Sequence, residues 1–278
     1  MKNLLFTITI ATILTSCGSD TERIRAEQQR DELQKQLEEV KFGAPNLLTD
    51  AKKFMESGDL ETSKSKLNEL ISRHSERPEA AEARTLLYRL EEQETWNNAQ
   101  NSQELYITKN YLDKYPNGNF VNAAKARINE LKILNEQKAF GYATQANSSS
   151  AWKKYIEDYP NHPDAKSIKR KIIELEVDEI FGDRATGKLP SFERIGGGYS
   201  SSSSISIKND TGCELTVRYS GSDVRMIEIP AGGTRSISLS SGSYRIAASA
   251  CGANYAGTEE LQGDYTSSYY ISRSYNRY

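Results

Sequence analysis

Few side chains in this 278-residue sequence are of the kinds that enzymes use for catalysis. His74 and His162 are the two histidines, and Cys17, Cys213 and Cys251 are the three cysteines, so a site with three imidazole ligands is excluded. The motifs typical of serine hydrolases, zinc peptidases, P-loop proteins and dinucleotide-binding proteins do not occur. We therefore expect no catalytic residue, no metal site and no cofactor.

Two charged clusters and one aromatic pair are the remaining candidates for chemistry. The acidic cluster is Glu91, Glu92 and Glu94, and the basic cluster is Lys166, Lys169, Arg170 and Lys171. Paired carboxylates are used in acid–base catalysis, and a basic cluster is suited to anionic lipid or an acidic partner, but solvated helix surfaces explain both clusters. Tyr269 and Tyr270 are adjacent and point to opposite faces of a strand, so we expect at least one of them to be exposed or at an interface. An exposed tyrosine here would suit stacking on sugars or binding of a protein strand.

The charge balance excludes one class of partner. The chain carries 36 Lys plus Arg against 38 Asp plus Glu, for a net charge of −2. It therefore has no overall positive field, and we expect no nucleic-acid partner. At roughly 100 to 200 residues per domain, the length is typical of two domains.

The N-terminus has the pattern of an export signal. Lys2 precedes an apolar stretch from Leu4 to Leu14, about half the length needed to cross a ~30 Å hydrocarbon core. The segment ends in Leu-Thr-Ser-Cys, which resembles a bacterial lipobox. The resemblance implies a signal peptide over residues 1–16 and diacylglyceryl and acyl (palmitate-type) chains on Cys17. An ordinary signal peptide followed by a cysteine is the alternative.

The lipobox resemblance also implies a location. Gly18, rather than Asp, follows the cysteine, which favours the outer membrane, with the periplasmic face expected and the cell surface as the alternative. Cys213 and Cys251 then form an even pair in an oxidising compartment, and a bridge between them closes a loop of about 38 residues. Two separate buried thiols are the other interpretation.

Residues 17–45 are expected to form a helical stalk from the membrane. Ala26, Leu33 and Val40 are seven residues apart, and Leu37 lies between the last two. This is an amphipathic pattern of two to three heptads, short for a coiled coil. Gly43, Ala44, Pro45 and Asn46 then end the helix.

Residues 46–181 repeat an apolar pattern three times. When Ser75, Pro116 and Pro160 are aligned, apolar residues share the positions 5, 8, 12 and 15 residues later, which lie on one face of a helix. His74 occupies the position of Tyr115 and Tyr159, so we expect it to be a core position. Each unit is predicted to be two helices joined by a turn, and such pairs bury their apolar faces by stacking.

These segments, such as LDKYPNGNFVNAAKARINEL, resemble the tetratricopeptide-like units of periplasmic lipoproteins, including the helical-repeat lipoprotein of the outer-membrane β-barrel assembly machinery. The periods of 41 and 44 residues exceed the usual 34 of that repeat. The resemblance implies a surface for other envelope proteins. We expect partner contacts at the exposed turn residues Asn117, Asn119, Asn161 and His162.

The remainder is predicted to be a flexible linker followed by a β domain. Residues 182–204 contain three consecutive glycines and five consecutive serines, which is typical of a linker. Residues 205–278 alternate apolar and polar side chains between turn signals, which predicts a small antiparallel β-sandwich of six or seven strands.

The fold class is thus an N-terminal helical-repeat region followed by a small β-sandwich. The expected function is a non-enzymatic, lipid-anchored scaffold that binds other envelope proteins through the repeats. The alternative is a lipoprotein that binds carbohydrate or peptidoglycan through the sandwich.

Overall fold

The structure, a computed structural model, describes residues 20–269. Cys17 and the lipobox, and likewise Tyr270, lie outside the described residues. The chain divides into two compact units, with the boundary after Leu131 inside a long helix. An N-terminal helical region followed by two β-sheets confirms the predicted fold class.

The first unit is built from helices. They are α1 (Asp20–Phe42), α2 (Ala44–Ser57), α3 (Leu60–Arg73), α4 (Pro78–Asn101), α5 (Leu105–Lys114) and the first half of α6 (Val121–Ala146). Helix α1 buries none of its side chains. It ends at Gly43, where the sequence predicts a break, and Pro45 occupies the first turn of α2, where its missing N–H costs no hydrogen bond.

Small residues early in α4 and α6 allow close helix packing, as the repeat pattern predicts. Ala80, Ala83 and Ala124 are fully buried. The first two pack against Leu67 and Leu70 of α3, and Ala124 packs beside Trp96, Tyr111 of α5 and Tyr115, which follows that helix. His74 is half-buried at the C-terminus of α3, with Nε2 2.5 Å from the Phe42 carbonyl oxygen.

A buried carboxylate holds the turn between α5 and α6. Glu92 is 1 % exposed and accepts hydrogen bonds from the Tyr111 hydroxyl (2.8 Å), the Asn119 N–H (2.5 Å) and the Asn119 side-chain amide (3.2 Å). Burial is the main cause that raises the pKa of Tyr111 to about 12, and the hydrogen bond to Glu92 adds to it. Glu92 is therefore a structural acceptor for the turn.

The same pairing recurs one repeat later. The Tyr155 hydroxyl lies 3.4 Å from Glu136, and both pairs have a sequence separation of 19. In the first repeat the aligned positions are Ala51 and Leu70, both fully buried. The repeats thus use a polar pair or an apolar pair at one structural position.

The second unit contains the rest of α6, then α7 (Ser149–Asp158) and α8 (Ala165–Gly182), followed by nine described strands. The strands are β1 (Gly187–Lys188), β2 (Glu193–Gly196), β3 (Ser202–Asn209), β4 (Leu215–Gly221), β5 (Val224–Ile229), β6 (Thr234–Ser240), β7 (Gly242–Ala250), β8 (Ala253–Leu261) and β9 (Asp264–Tyr269).

These strands form two sheets with a shared core. One sheet has the order β1-β8-β7-β4-β5 and the other the order β2-β9-β3-β6. Alternate side chains of both sheets meet in one cluster that includes Val217, Ile246, Ile205 and Leu239. The sandwich is therefore as predicted, but its sheets are mixed, because β1 pairs with β8 and β3 pairs with β9 in parallel.

Nine of the 23 residues predicted as a linker lie in strands of the sandwich, so the segment is not a linker along its whole length. Within residues 182–204 lie β1, β2 and the start of β3. In β3, Ser202 and Ser204 face solvent, whereas Ser203 is 1 % exposed and its hydroxyl lies 3.2 Å from that of Ser241. Serine suits this strand because one face is wet and the inward hydroxyl has a partner.

The predicted disulfide is confirmed. Cys213 and Cys251 are bonded across 38 positions, with Cα atoms 5.5 Å apart. Cys251 has a φ of 51° and Gly252 a φ of 76°, so the β7–β8 turn uses two left-handed residues.

Helix α8 packs on the outer face of the five-stranded sheet. Val177 and Ile180 bury against Ala247 of β7, with Ala256 of β8 beside them. Small side chains on the sheet let the helix approach closely. Among residues 20–269, no helix combines the length and apolar character needed to cross a membrane.

Candidate functional site: a basic cleft beside strand β5

A cavity of about 850 Å³ in the second unit opens between α8 and strand β5. It has six cationic lining residues: Lys153, Lys166, Lys169, Arg170, Arg218 and Arg225. Three acidic residues also line it: Glu176, Asp223 and Glu228. We call this cavity the basic cleft.

The helical period of α8 explains how the cations come together. Lys166, Lys169 and Arg170 are three and four residues apart, so they lie on one face of the helix, and Ile173 continues that face. Another face of α8 packs Ile168 and Ile172 against α7. The C-terminal half of the helix is fixed on the sheet, and its N-terminal half forms one wall of the cleft.

A charge network closes the inner end of the cleft. Glu176, with a side chain 8 % exposed, accepts a hydrogen bond from Arg218 Nε at 2.7 Å and forms an ion pair with Lys153. Burial alone would raise the pKa of Glu176, but the hydrogen bonds from Arg218 and Lys153 outweigh it, so the pKa of this carboxyl is lowered. Arg218 also donates to the Ser249 hydroxyl at 3.1 Å.

The cations nearer the mouth have no such partners. Lys166, Lys169, Arg170 and Arg225 form no ion pair or side-chain hydrogen bond within residues 20–269. Asp223 has a pKa lowered mainly by its hydrogen bonds with Ser240, and Arg225 and Arg170 contribute as nearby positive charges. Two unpaired guanidinium groups and two ammonium groups thus face one open cavity.

The cleft also has apolar surface. Ile173, Val224 and Met226 line it, and Met226 is 42 % exposed. Apolar contact together with unpaired cations is typical of a binding site for an anionic group attached to a larger molecule. In the described part of the chain, no group of three or more His, Cys, Asp or Glu side chains is placed to hold a metal ion.

The basic cluster noted in the sequence is only partly the site. Lys166, Lys169 and Arg170 line the cleft, whereas Lys171 lies over the Trp152 ring at 4.7 Å. Lys171 is therefore on the face of α8 that packs towards α7. The acidic cluster divides: Glu92 is buried, whereas Glu91 and Glu94 are exposed and line a separate cavity with Lys64.

Of the residues predicted for partner contact, Asn117 and Asn119 lie in the first unit, and Asn161 and His162 lie in the second. Asn117, Asn119 and Asn161 are exposed, and the Asn119 side-chain amide also donates to Glu92. His162 is half-buried, and its ring stacks on Phe140 with centroids 5.7 Å apart.

Tyr269 is 7 % exposed and belongs to the sandwich core, so it is not the exposed member of the tyrosine pair. Tyr270 lies outside the described residues, and the expectation that at least one of the two is exposed or at an interface stays a prediction. Strand β9 lies between β2 and β3, and its inward positions are core positions.

Sequence reasoning missed the contribution of β5 to the cleft. Val224, Arg225 and Met226 have no distinctive motif, and their role depends on β5 being the last strand of its sheet. In the sequence, Glu174 follows Arg170 by four residues, as on an ordinary solvated helix face, so no signal in the sequence marked these cations as a site.

The comparison with known families matches the part of the chain that contains α8 and the sandwich. Residues 166–272 match the model of a domain of unknown function, DUF6759. The matched region begins in the first turn of α8 and includes all nine described strands. No curated protein matches the chain. The similarity thus groups the cationic helix with the sandwich, as the packing does.

Proposed function

We propose that this protein is a non-enzymatic binding protein of the cell envelope, anchored in the outer membrane by lipids on Cys17. In this proposal the basic cleft holds an acidic segment of another envelope protein. The observation that carries it is the set of four cations without ion-pair partners, Lys166, Lys169, Arg170 and Arg225, around one cavity. The proposal keeps the protein-binding role that the sequence predicts, but it places the contact surface in the basic cleft instead of the repeat turns.

The network at the inner end supports this role. Because Glu176 is already satisfied by Lys153 and Arg218, it does not compete for the cations at the mouth. An incoming carboxylate therefore meets four cations that form no ion pair within residues 20–269, although Asp223 lies near enough to Arg225 and Arg170 for their charges to lower its pKa. Arginine binds carboxylate with two parallel hydrogen bonds, which adds geometric selection to the attraction.

The proposed lipid anchor is a second argument for this function, independent of the cleft. Several acyl chains hold a protein stably at a membrane, since each buried CH₂ contributes about 0.8 kcal/mol. An anchored protein searches for its partner within one membrane plane, so a modest intrinsic affinity is sufficient. A stalk without buried side chains, such as α1, suits a spacer between membrane and cleft.

The direct test is peptide binding by the full chain purified as Cys17→Ser. The probe is a fluorescent glutamate decapeptide, compared with a glutamine decapeptide of equal length. We expect the glutamate peptide to bind and to weaken as salt is raised, because exposed charges are screened within about 10 Å at 0.1 M. Replacing Lys166, Lys169 and Arg170 together by Ala is expected to weaken binding roughly three- to 150-fold, at ~0.2–1 kcal/mol for each of the three exposed pairs.

A matched variant removes three exposed lysines of α6, Lys125, Lys132 and Lys138, and changes the net charge equally. We expect this variant to bind like the parent. Equal weakening in both variants, or equal binding of the glutamine peptide, would refute a site in the cleft. Binding of an acidic glycan such as polygalacturonate without binding of the peptide would support the carbohydrate alternative instead.

A further inference from the structure

The basic cleft runs along the edge of a strand rather than over one face of the sheet. Three consecutive residues of β5, Val224 to Met226, line it, and so does Asp223 in the turn just before the strand. Consecutive side chains of a strand point to opposite faces, so a cavity that touches all three strand residues must lie beside the backbone. A cavity in this position suits an extended ligand that lies alongside the strand.

Strand β5 is the last strand of the five-stranded sheet. Among the described strands its one neighbour is β4, and the pairs run from Leu215 with Ile229 to Ser220 with Val224. Its six residues extend roughly 20 Å at about 3.3 Å each. An edge strand presents backbone N–H and C=O groups to any chain that lies beside it. The Glu228 carbonyl accepts a hydrogen bond from Arg235 at 2.8 Å, so the accessible stretch lies nearer Val224.

Positive charges lie on both sides of this edge. Met226 pairs with Arg218, which reaches α8, so Met226 is on the face that the helix covers. Arg225 pairs with Tyr219, a core residue, and is therefore on the opposite face. Side chains of a strand added beside β5 would alternate between the cations of α8 and Arg225.

From this arrangement we infer that the acidic partner segment binds as an extended strand added to the edge of β5, with acidic side chains at alternate positions under the N-terminal half of α8. Backbone hydrogen bonds to β5 supply affinity, and Lys166, Lys169 and Arg170 select the carboxylates. This inference rests on the proposed function, since it specifies how the same cleft holds its partner.

The test uses backbone methylation of a peptide of alternating glutamate and threonine, seven residues long, with the full chain as Cys17→Ser. Two versions carry N-methyl groups on alternate residues, one version starting at the first residue and the other at the second. Alternate backbone groups of a strand point to the same side, so only one version loses its hydrogen bonds to β5. We expect that version to bind at least ten-fold more weakly and the other to bind like the parent peptide.

The outcomes separate the binding mode from the proposed function. If the unmethylated peptide binds through the α8 cations but both methylated versions bind equally, strand addition is wrong and the proposed function stands. If the unmethylated peptide does not bind, or binds the triple-alanine variant equally well, the proposed function itself fails. A scrambled peptide with its glutamates consecutive serves as the composition control and is expected to bind more weakly than the alternating one.

Discussion

Glu176 of α8 and Arg218 of β4 are 42 positions apart in the sequence, and their side chains meet at 2.7 Å between Oε2 and Nε. The contact joins the last helix of the repeat region to the sandwich. With Val177 and Ile180 packed on Ala247, it makes α8 part of the β module. The cleft forms because α8 packs against both α7 and the five-stranded sheet.

Replacing Arg218 by Ala is expected to destabilise the second unit. The Glu176 carboxylate would remain buried with Lys153 as its one charged partner, and breaking a buried pair costs about 3–5 kcal/mol when no other partner remains. We expect a loss of about 2–3 kcal/mol in the free energy of unfolding, measured by urea denaturation. The control is Arg245→Ala, whose pair with Asp178 is exposed and is expected to cost about 1 kcal/mol or less. Equal losses in the two variants would contradict the role of Glu176.

The same pair predicts how stability depends on pH. The pKa of Glu176 is lowered in the folded protein, below its ordinary value of 4.5. Its ionised form therefore stabilises the fold above about pH 4.5, and that stabilisation is lost as the pH falls through the lowered folded-state pKa. Glu176→Gln is expected to flatten the acid side of the stability curve, recorded by urea denaturation between about pH 3 and pH 7. If the free energy of unfolding of the variant fell with decreasing pH as steeply as that of the wild type, other carboxyl groups would be the cause of the acid destabilisation.

Gly118 is expected to tolerate no side chain, because of the buried carboxylate in the turn after α5. A Cβ at this position would lie 2.7 Å from the Tyr111 hydroxyl and closer still to Glu92. Gly118→Ala should therefore lower the free energy of unfolding by about 1–3 kcal/mol. Gly141→Ala is the matched control, since a Cβ there meets open space within α6 and is expected to stabilise by about 0.5–1 kcal/mol. A neutral Gly118→Ala would mean that the turn opens at little cost.

The anchor predicted from the lipobox is tested in cells. We expect metabolic labelling with palmitate to mark the wild-type protein and the protein to sediment with outer membranes. Cys17→Ser should abolish both the label and the sedimentation. An unlabelled wild-type protein would instead indicate an ordinary signal peptide with a cysteine in the mature chain.

The sequence predicted the features that depend on periodicity. The repeat columns place Ala83, Ala124 and Ile168 in the helical cores, and the alternation beyond residue 204 identifies inward positions such as Ile205. These positions are predictable because burial of one face fixes a period of 3.6 or 2.

Neither the strands within the predicted linker nor the cleft could be predicted from periodicity. The strands β1 to β3 depend on backbone pairing with β8, β9 and β6, which the Gly- and Ser-rich composition does not reveal. The cations of α8 have the spacing of any solvated face until β5 is placed opposite them. The sequence pattern identifies the polar and apolar faces of a helix, but it does not show which element packs opposite each face.

Site-specific photocrosslinking in living cells tests the central claim most directly. A photoreactive phenylalanine is placed at Met226 in the cleft, at Asn117 in a repeat turn, or at Ser236 on the other sheet. We expect an adduct at Met226 whose crosslinked peptide is acidic and which is lost when Lys166, Lys169 and Arg170 are replaced by Ala. Adducts at Asn117 with none at Met226, or a Met226 adduct that survives the loss of the three cations, would contradict binding in the cleft.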